Sequence, residues 1–137
     1  MMDKSSAANV TFRLELFIDD LAASTEFYGR VLGFSIGKQQ ADGYTPMVNG
    51  NVTLSLNLRG NLPDDHPIQA NIGERLGRGI ELVLEVDDIE PMYKQVCATN
   101  WPLSGKLQRQ TWGLTDFRVL DPDGYYWRIT TRDKGCH

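Results

Sequence analysis

The segment that decides the fold reads LELFIDDL at residues 14–21, and a similar segment, LVLEVDDI, lies about half the chain later at residues 82–89. In both segments apolar residues recur at alternate positions, which predicts a half-buried strand. In each segment a pair of aspartates stands just before the last residue. The second aspartate, Asp20 or Asp88, suits the N-cap of a helix because its carboxylate accepts free N–H groups of the first turn. The duplication therefore predicts two modules built on one plan.

Three short apolar stretches follow the helix in each half, and turn signals such as Asp42-Gly43 and Asn49-Gly50 separate them. These dipeptides favour tight hairpins because they tolerate positive φ. The pattern predicts an α+β fold in which a strand, a helix and three strands occur twice. Residues 59–78 are rich in proline and glycine, so we interpret them as the connector between module one, about 11–58, and module two, about 79–131. The helices are predicted over residues 21–32 and 89–99.

Composition narrows the possible partners. Fourteen Lys and Arg against eighteen Asp and Glu give a net charge of -4, and phosphate backbones repel so acidic a chain, so nucleic acid is not expected. No apolar run approaches the roughly 20 residues that cross a bilayer, and no secretory signal is visible, so we expect no membrane partner. Two cysteines, Cys97 and Cys136, favour a reduced, cytoplasmic setting. The only histidines are His66 and His137, so a metal site would depend mainly on carboxylates.

Two motifs carry a family resemblance. The first joins Asp20-Leu21, Phe27-Tyr28 and Val31-Leu32-Gly33-Phe34, and the second joins Trp112-Gly113 to Asp121-Pro122-Asp123-Gly124. Together they resemble the vicinal oxygen chelate superfamily, which includes glyoxalase I, bleomycin resistance proteins and extradiol dioxygenases. The resemblance implies a single domain over the chain, with two βαβββ modules forming a curled eight-stranded mixed sheet around a cleft. It also implies a homodimer, and in many members the partner completes each binding site.

Metal-dependent members of that superfamily hold an ion with His or Glu at four cleft positions, which the resemblance places here at Arg13, Ser55, Glu81 and Arg128. Arginine has no lone pair to donate and repels a cation, and a serine hydroxyl is a weak ligand. Glu81 alone suits a metal, although a two-residue shift in the match would bring Glu15 or Glu85 into a ligand position. We therefore expect no metal and no other cofactor, as in the metal-free, bleomycin-resistance-like branch.

Strand parity predicts which side chains face the cleft, because alternate residues of a strand point to opposite faces. It places Phe12 and Ile80 in the apolar rows beneath the helices. Arg13, Glu81 and Arg128 suggest a cluster that binds carboxylate or phosphate; alternatively, they pair with neighbouring carboxylates and only neutralise a polar surface. The candidate ligand-binding residues are Arg13, Glu15, Tyr44, Ser55, Asn57, Glu81, Trp112, Asp116, Arg118 and Arg128.

Aromatic side chains give a second reason to expect a ligand. Tyr44, Trp112 and Tyr126 offer flat surfaces on which a planar molecule stacks. The alternative is that Trp112 anchors the loop before its strand and that Tyr44 fills a sheet face. The sequence leaves both alternatives open.

Three functions follow from these observations. We favour a metal-independent protein that binds a small organic molecule, an antibiotic among the candidates, without chemistry. The second is a metal-dependent lyase, isomerase or dioxygenase, and the third is a metal-free enzyme that uses Glu81 or Glu15 as a base. The expected partners are the small organic ligand and a second copy of the chain.

Overall fold

The computed structural model describes residues 9–132, so Cys136 and His137 lie outside the described residues. The strands are β1 (Leu14–Ile18), β2 (Ser35–Ile36), β3 (Thr45–Asn49), β4 (Val52–Leu58), β5 (Glu81–Val86), β6 (Gly105–Arg109), β7 (Thr115–Leu120) and β8 (Tyr126–Thr131). The helices are α1 (Leu21–Glu26), which continues into a wider π-helical turn (Phe27–Val31), a short 3-10 turn (Arg59–Asn61) and α2 (Ile89–Ala98).

The strands form two four-stranded mixed sheets with the same topology. Their orders are β1-β4-β3-β2 and β5-β8-β7-β6. In each sheet the first strand runs parallel to the last strand of its module, and the other neighbours are antiparallel. The predicted α+β fold with two βαβββ modules is confirmed. Within the described residues no hydrogen-bonded strand pair joins the two sheets, so β1 and β5 each keep one free edge.

Burial follows the predicted strand parity inside the strands and departs from it at their starts. Leu16 and Ile18 of β1 are buried beneath the helices, as are Trp127 and Ile129 of β8. The predictions for Phe12 and Ile80 are wrong: these side chains are 84% and 54% exposed. Both residues precede the first paired position of their strand, so no sheet holds them to the alternation.

Both helices begin where the aspartates predict. The Asp20 carboxylate accepts the Ala23 N–H at 3.1 Å, whereas Asp88 occupies the N-cap of α2 without a hydrogen bond from its side chain. The π-helical turn after α1 buries Phe27, Tyr28 and Val31 completely. This turn brings the Tyr28 hydroxyl into module two.

A buried hydrogen-bond network joins the modules. The Tyr28 hydroxyl donates to Asp121 Oδ2 at 2.6 Å and accepts the Trp127 indole N–H at 3.0 Å. The other carboxylate oxygen, Asp121 Oδ1, accepts the backbone N–H groups of Asp123 and Tyr125 at 2.9 and 2.8 Å. The turn that starts β8 is therefore fixed to the helix of module one.

Two more bonds span the same junction. The Tyr125 hydroxyl donates to the Phe17 carbonyl at 2.8 Å, and the Asp19 N–H donates to Asp123 Oδ1 at 3.0 Å. Because buried polar groups need partners, these bonds and the Tyr28 network favour one relative placement of the modules.

Burial also sets the protonation of this network. It raises the pKa of Asp121 from 3.8 to about 6, although the hydrogen bond from Tyr28 opposes the shift. Burial and the neighbouring Asp121 charge raise the pKa of the Tyr28 hydroxyl well above its ordinary value. The folded protein therefore holds a proton on Asp121 more tightly than the unfolded chain does.

The raised pKa of Asp121 predicts a pH-dependent stability. Its contribution is fully present below about pH 4 and is lost as the pH rises through about 6. Asp121→Asn removes this titration, so the stability of the natural protein relative to the variant should fall by about 2 kcal/mol from pH 4 to pH 7. Tyr28→Phe keeps the Asp121 carboxyl but removes the hydrogen bond that lowers its pKa. The loss of stability with rising pH should therefore be larger in this variant. Urea unfolding at several pH values measures both, and a pH-independent difference for Asp121→Asn would contradict the assignment.

Candidate functional site

Most of the predicted site residues lie on the sheet faces opposite the helices, here called the open faces. On the first sheet the module-one cluster consists of Arg13, Glu15, Tyr44, Ser55 and Asn57. Glu15 and Ser55 are direct neighbours across the parallel pair of β1 and β4. Both side chains therefore point to the same open face.

Hydrogen bonds connect the whole module-one cluster. Arg13 Nη2 donates to Glu15 Oε2 at 2.5 Å and to the Tyr44 hydroxyl at 3.4 Å. Asn57 Nδ2 donates to Glu15 Oε1 at 3.2 Å, and the hydroxyls of Tyr44 and Ser55 are 2.9 Å apart. Arg13, Tyr44 and Ser55 line a cavity of about 190 Å³ on this open face.

The module-two cluster consists of Glu81, Gln110, Asp116, Arg118 and Arg128, and Asp116 is its centre. Asp116 is only 1% exposed, and its carboxylate accepts Gln110 Nε2 at 2.8 Å and Arg118 Nη2 at 3.3 Å. Arg128 Nη1 lies 3.9 Å from the same carboxylate, and Arg128 Nε lies 3.3 Å from Glu81 Oε1. One buried carboxylate thus faces two guanidinium groups.

Arg118 is held in its charged form by this environment. Burial alone would lower the pKa of its guanidinium, but the Asp116 charge and the Tyr126 hydroxyl outweigh burial, and the pKa is raised. The Nε atom of Arg118 is buried and has no hydrogen-bond partner within residues 9–132. The cluster therefore contains a buried N–H donor whose hydrogen-bonding capacity is unused.

All the predicted ligand-binding residues except Trp112 lie in one of these clusters. Trp112 stands in the turn between β6 and β7, is 56% exposed, and makes none of the hydrogen bonds that connect either cluster. The three residues that the sequence suggested as one cluster lie in different clusters. Arg13 contacts Glu15 and Tyr44, whereas Glu81 and Arg128 contact each other. Whether any of them binds a ligand stays a prediction.

Gln110 is the member of the module-two cluster that the sequence prediction missed. The pairing of β6 with β7 is irregular between Gly105 and Gln108, so simple alternation from the start of β6 does not indicate which side chains face the open side. The glutamine that bonds Asp116 is recognisable only once this irregularity is known.

The residues of this chain at the positions where metal-dependent members hold their ion do not fit a metal. At the four corresponding positions Arg13 and Arg128 are cationic, the Ser55 hydroxyl is bonded to Tyr44, and Glu81 is paired with Arg128. In the part of the chain that the structure describes, no group of three or more His, Cys, Asp or Glu side chains could hold a metal ion.

Another cavity, of about 550 Å³, is lined by no member of either cluster. Its walls are the turn at Asn49–Val52 and the stretch Val83–Asp87, together with Met92 and Arg132. Judged by cavity volume alone, a binding site would lie on the side of β5 next to module one. Judged by hydrogen-bonding and charged side chains, it would lie on the open faces. We give more weight to the open faces because binding sites need convergent polar groups as well as space.

Comparisons with known proteins agree on the fold. The family model described as Glyoxalase/Bleomycin resistance protein/Dioxygenase superfamily matches residues 11–129. No match was found among curated proteins. Among the described residues, no helix is long and apolar enough to span a bilayer.

Three solved structures illustrate the similarity. TioX from Micromonospora sp. ML1 is 20% identical with a TM-score of 0.71, over 90% of this chain and 98% of that one. A glyoxalase/bleomycin resistance protein/dioxygenase from Nocardioides is 21% identical with a TM-score of 0.72, over 95% and 90%. A protein of unknown function from Agrobacterium tumefaciens str. C58 is 24% identical with a TM-score of 0.73, over 91% and 96%. At these identities the comparisons show the fold alone.

The buried Asp116 should contribute more to stability than the exposed carboxylate of module one. Asp116→Asn keeps an oxygen for Gln110 but leaves two guanidinium groups without their shared anion, so we expect a loss of about 2 kcal/mol. The control Glu15→Gln removes an exposed ion pair and should cost less than about 1 kcal/mol. Urea unfolding at pH 7 measures both losses. Equal losses would mean that the module-two cluster does not depend on Asp116.

Proposed function

The chain belongs to the Glyoxalase/Bleomycin resistance protein/Dioxygenase superfamily, and we propose that it is a metal-independent small-molecule-binding protein of that superfamily. One observation carries the proposal: the positions that the resemblance assigns to metal ligands hold Arg13, Ser55, Glu81 and Arg128. These residues supply a single carboxylate, and it is already paired with an arginine. Such a set binds organic polar groups better than it binds a divalent ion.

The open faces offer the kinds of contact that a small organic molecule uses. Arg13, Tyr44 and Ser55 combine a cation, an aromatic ring and a hydroxyl around one cavity. Sites for small molecules need such convergent polar groups beside apolar surface. Glu81 is paired with Arg128, and this pairing argues against a role for the carboxylate as a free general base.

A second copy of the chain is part of the proposal. The cavity of about 190 Å³ is smaller than the roughly 300 Å³ at which ligand pockets begin, and a second copy of the chain would supply further walls. Large apolar side chains are exposed in and beside the free-edged strands β1 and β5. They are Val10, Phe12, Ile80 and Val83. Pairing of these regions would cover apolar surface and enlarge the cavity.

We place the two modules and the connector at 59–78 in a single domain, because the Tyr28 network joins both modules. A cytoplasmic setting and an antibiotic as the ligand also belong to the proposal.

The binding function predicts measurable affinity without a metal. In a panel of cationic and planar antibiotics, at least one compound should bind with a Kd below about 1 mM, and a chelator should not change that Kd. Tyr44→Ala should weaken binding about tenfold by removing an aromatic surface and a hydroxyl. The matched control Ile72→Ala, at a fully exposed connector position, should leave it unchanged. Equilibrium dialysis measures each affinity.

Other results would contradict this function. Binding no tighter than about 1 mM across the panel would count against a binding protein. Tightly held, stoichiometric metal in elemental analysis of the purified protein would favour the metal-dependent enzyme. Turnover that persists with chelator and disappears in Glu81→Gln would favour the metal-free enzyme.

Self-association is tested separately. Light scattering at micromolar concentration should give twice the mass of one chain. Phe12→Glu combined with Val83→Glu should shift the protein to the monomer mass, because both changes place charge beside the free edges. The control Ile72→Glu adds the same charge in the connector and should leave the dimer intact. A monomeric natural protein, or a dimer that survives the paired change, would contradict this interface.

A further inference from the structure

Two arginines face each other directly across the second sheet. Arg118 of β7 and Arg128 of β8 are register partners in the antiparallel pair, and their side chains are 27% and 20% exposed. Like charges at directly opposed positions destabilise a sheet, so an anion is needed between them. The buried Asp116 supplies one negative charge for the two positive charges.

The donors of this arginine pair are only partly used. Arg118 Nε has no hydrogen-bond partner in the described chain, although it is buried. Arg128 meets Glu81 and Asp116 as ion pairs and donates no hydrogen bond to any residue from 9 to 132. A guanidinium has five N–H donors, so several N–H groups of the pair could still donate a hydrogen bond to an additional oxygen atom.

The two carboxylates of the cluster differ in how firmly they are held. Asp116 is 1% exposed and fixed by Gln110 at 2.8 Å. The Glu81 side chain is 40% exposed, and within residues 9–132 its ion pair is with Arg128, at 3.3 Å. Glu81 can therefore turn into solvent while Asp116 stays in place. With Glu81 turned away, Arg118, Arg128 and Asp116 carry a net charge of about +1.

We propose that the carboxylate group of a small organic ligand binds between Arg118 and Arg128 and takes the place of Glu81. The inference rests on the proposed binding function and names the class of ligand. A monoanion neutralises the remaining positive charge, and its planar pair of oxygens matches the guanidinium fork. A phosphate dianion would leave surplus negative charge beside the buried Asp116, so it fits less well.

Benzoate is the probe, with benzamide as the neutral analogue of the same shape. In calorimetric or NMR titrations the protein should bind benzoate at least about ten times more tightly than benzamide or inorganic phosphate. Arg118→Gln and Arg128→Gln should each weaken benzoate binding about tenfold. Glu81→Gln should tighten it several-fold, because the displaced side chain no longer competes for Arg128. Arg132→Gln, which removes a surface arginine outside the cluster, should leave it unchanged.

One measurement is independent of whether the variants fold. In the natural protein, the NMR signal of the Arg118 Nε–H group should shift on addition of benzoate and not on addition of benzamide. Benzoate binding no tighter than benzamide binding, equal competition by phosphate, or weakening by Glu81→Gln would each overturn the proposal. If antibiotics of the panel bind while benzoate shows no preference, the ligand class is wrong and the binding function stands. If neither the panel nor benzoate binds, both fail.

Discussion

The hydrogen bond between Tyr28 and Asp121 joins residues 93 positions apart, and the relation between the two modules depends on it. Both side chains are buried, so neither can exchange this partner for bulk water. A buried polar group without its partner costs about 1–3 kcal/mol, which is a large part of the stability of a small domain. The helix of module one and the turn before β8 are therefore held in one arrangement.

That arrangement also determines the chemistry of the open face. In β8, Trp127 and Ile129 enter the core, while Arg128 between them points to the opposite side. The turn at 121–124 sets where β8 begins, and hence which residue of β7 lies opposite Arg128. The meeting of Arg118 with Arg128 is thus a consequence of packing on the other face of the same strand. The arginine pair on the open face and the core residues on the opposite face therefore depend on the same strand.

The sequence predicts the fold well because its main signal is the alternation of apolar residues, which matches the two-residue repeat of a β-strand. Alternation correctly assigns Leu16 and Ile18 to the core, and it puts Arg118 and Arg128 together on one face. The duplicated segment also predicts the common topology of both sheets, which the structure and the family match confirm.

The sequence does not predict features that depend on pairing between distant segments. Phe12 is exposed because β1 starts two residues later, and no local pattern marks that start. Gln110 reaches Asp116 because the pairing of β6 and β7 is irregular, which a period of two cannot represent. The partner of each arginine is likewise decided by the register of neighbouring strands, so candidate residues are predictable while their contacts are not.

The four edge strands of the two sheets differ in length, regularity and charge. These differences affect where a strand of another chain can be added. The edge strand β2 has only two residues, and the edge strand β6 is irregular and carries exposed Lys106 and Arg109. Short, kinked or positively charged edges resist the addition of foreign strands. The edge strands β1 and β5, with five and six residues, are regularly paired and carry no lysine or arginine. Addition of a strand from another chain is therefore expected at β1 or β5 rather than at β2 or β6.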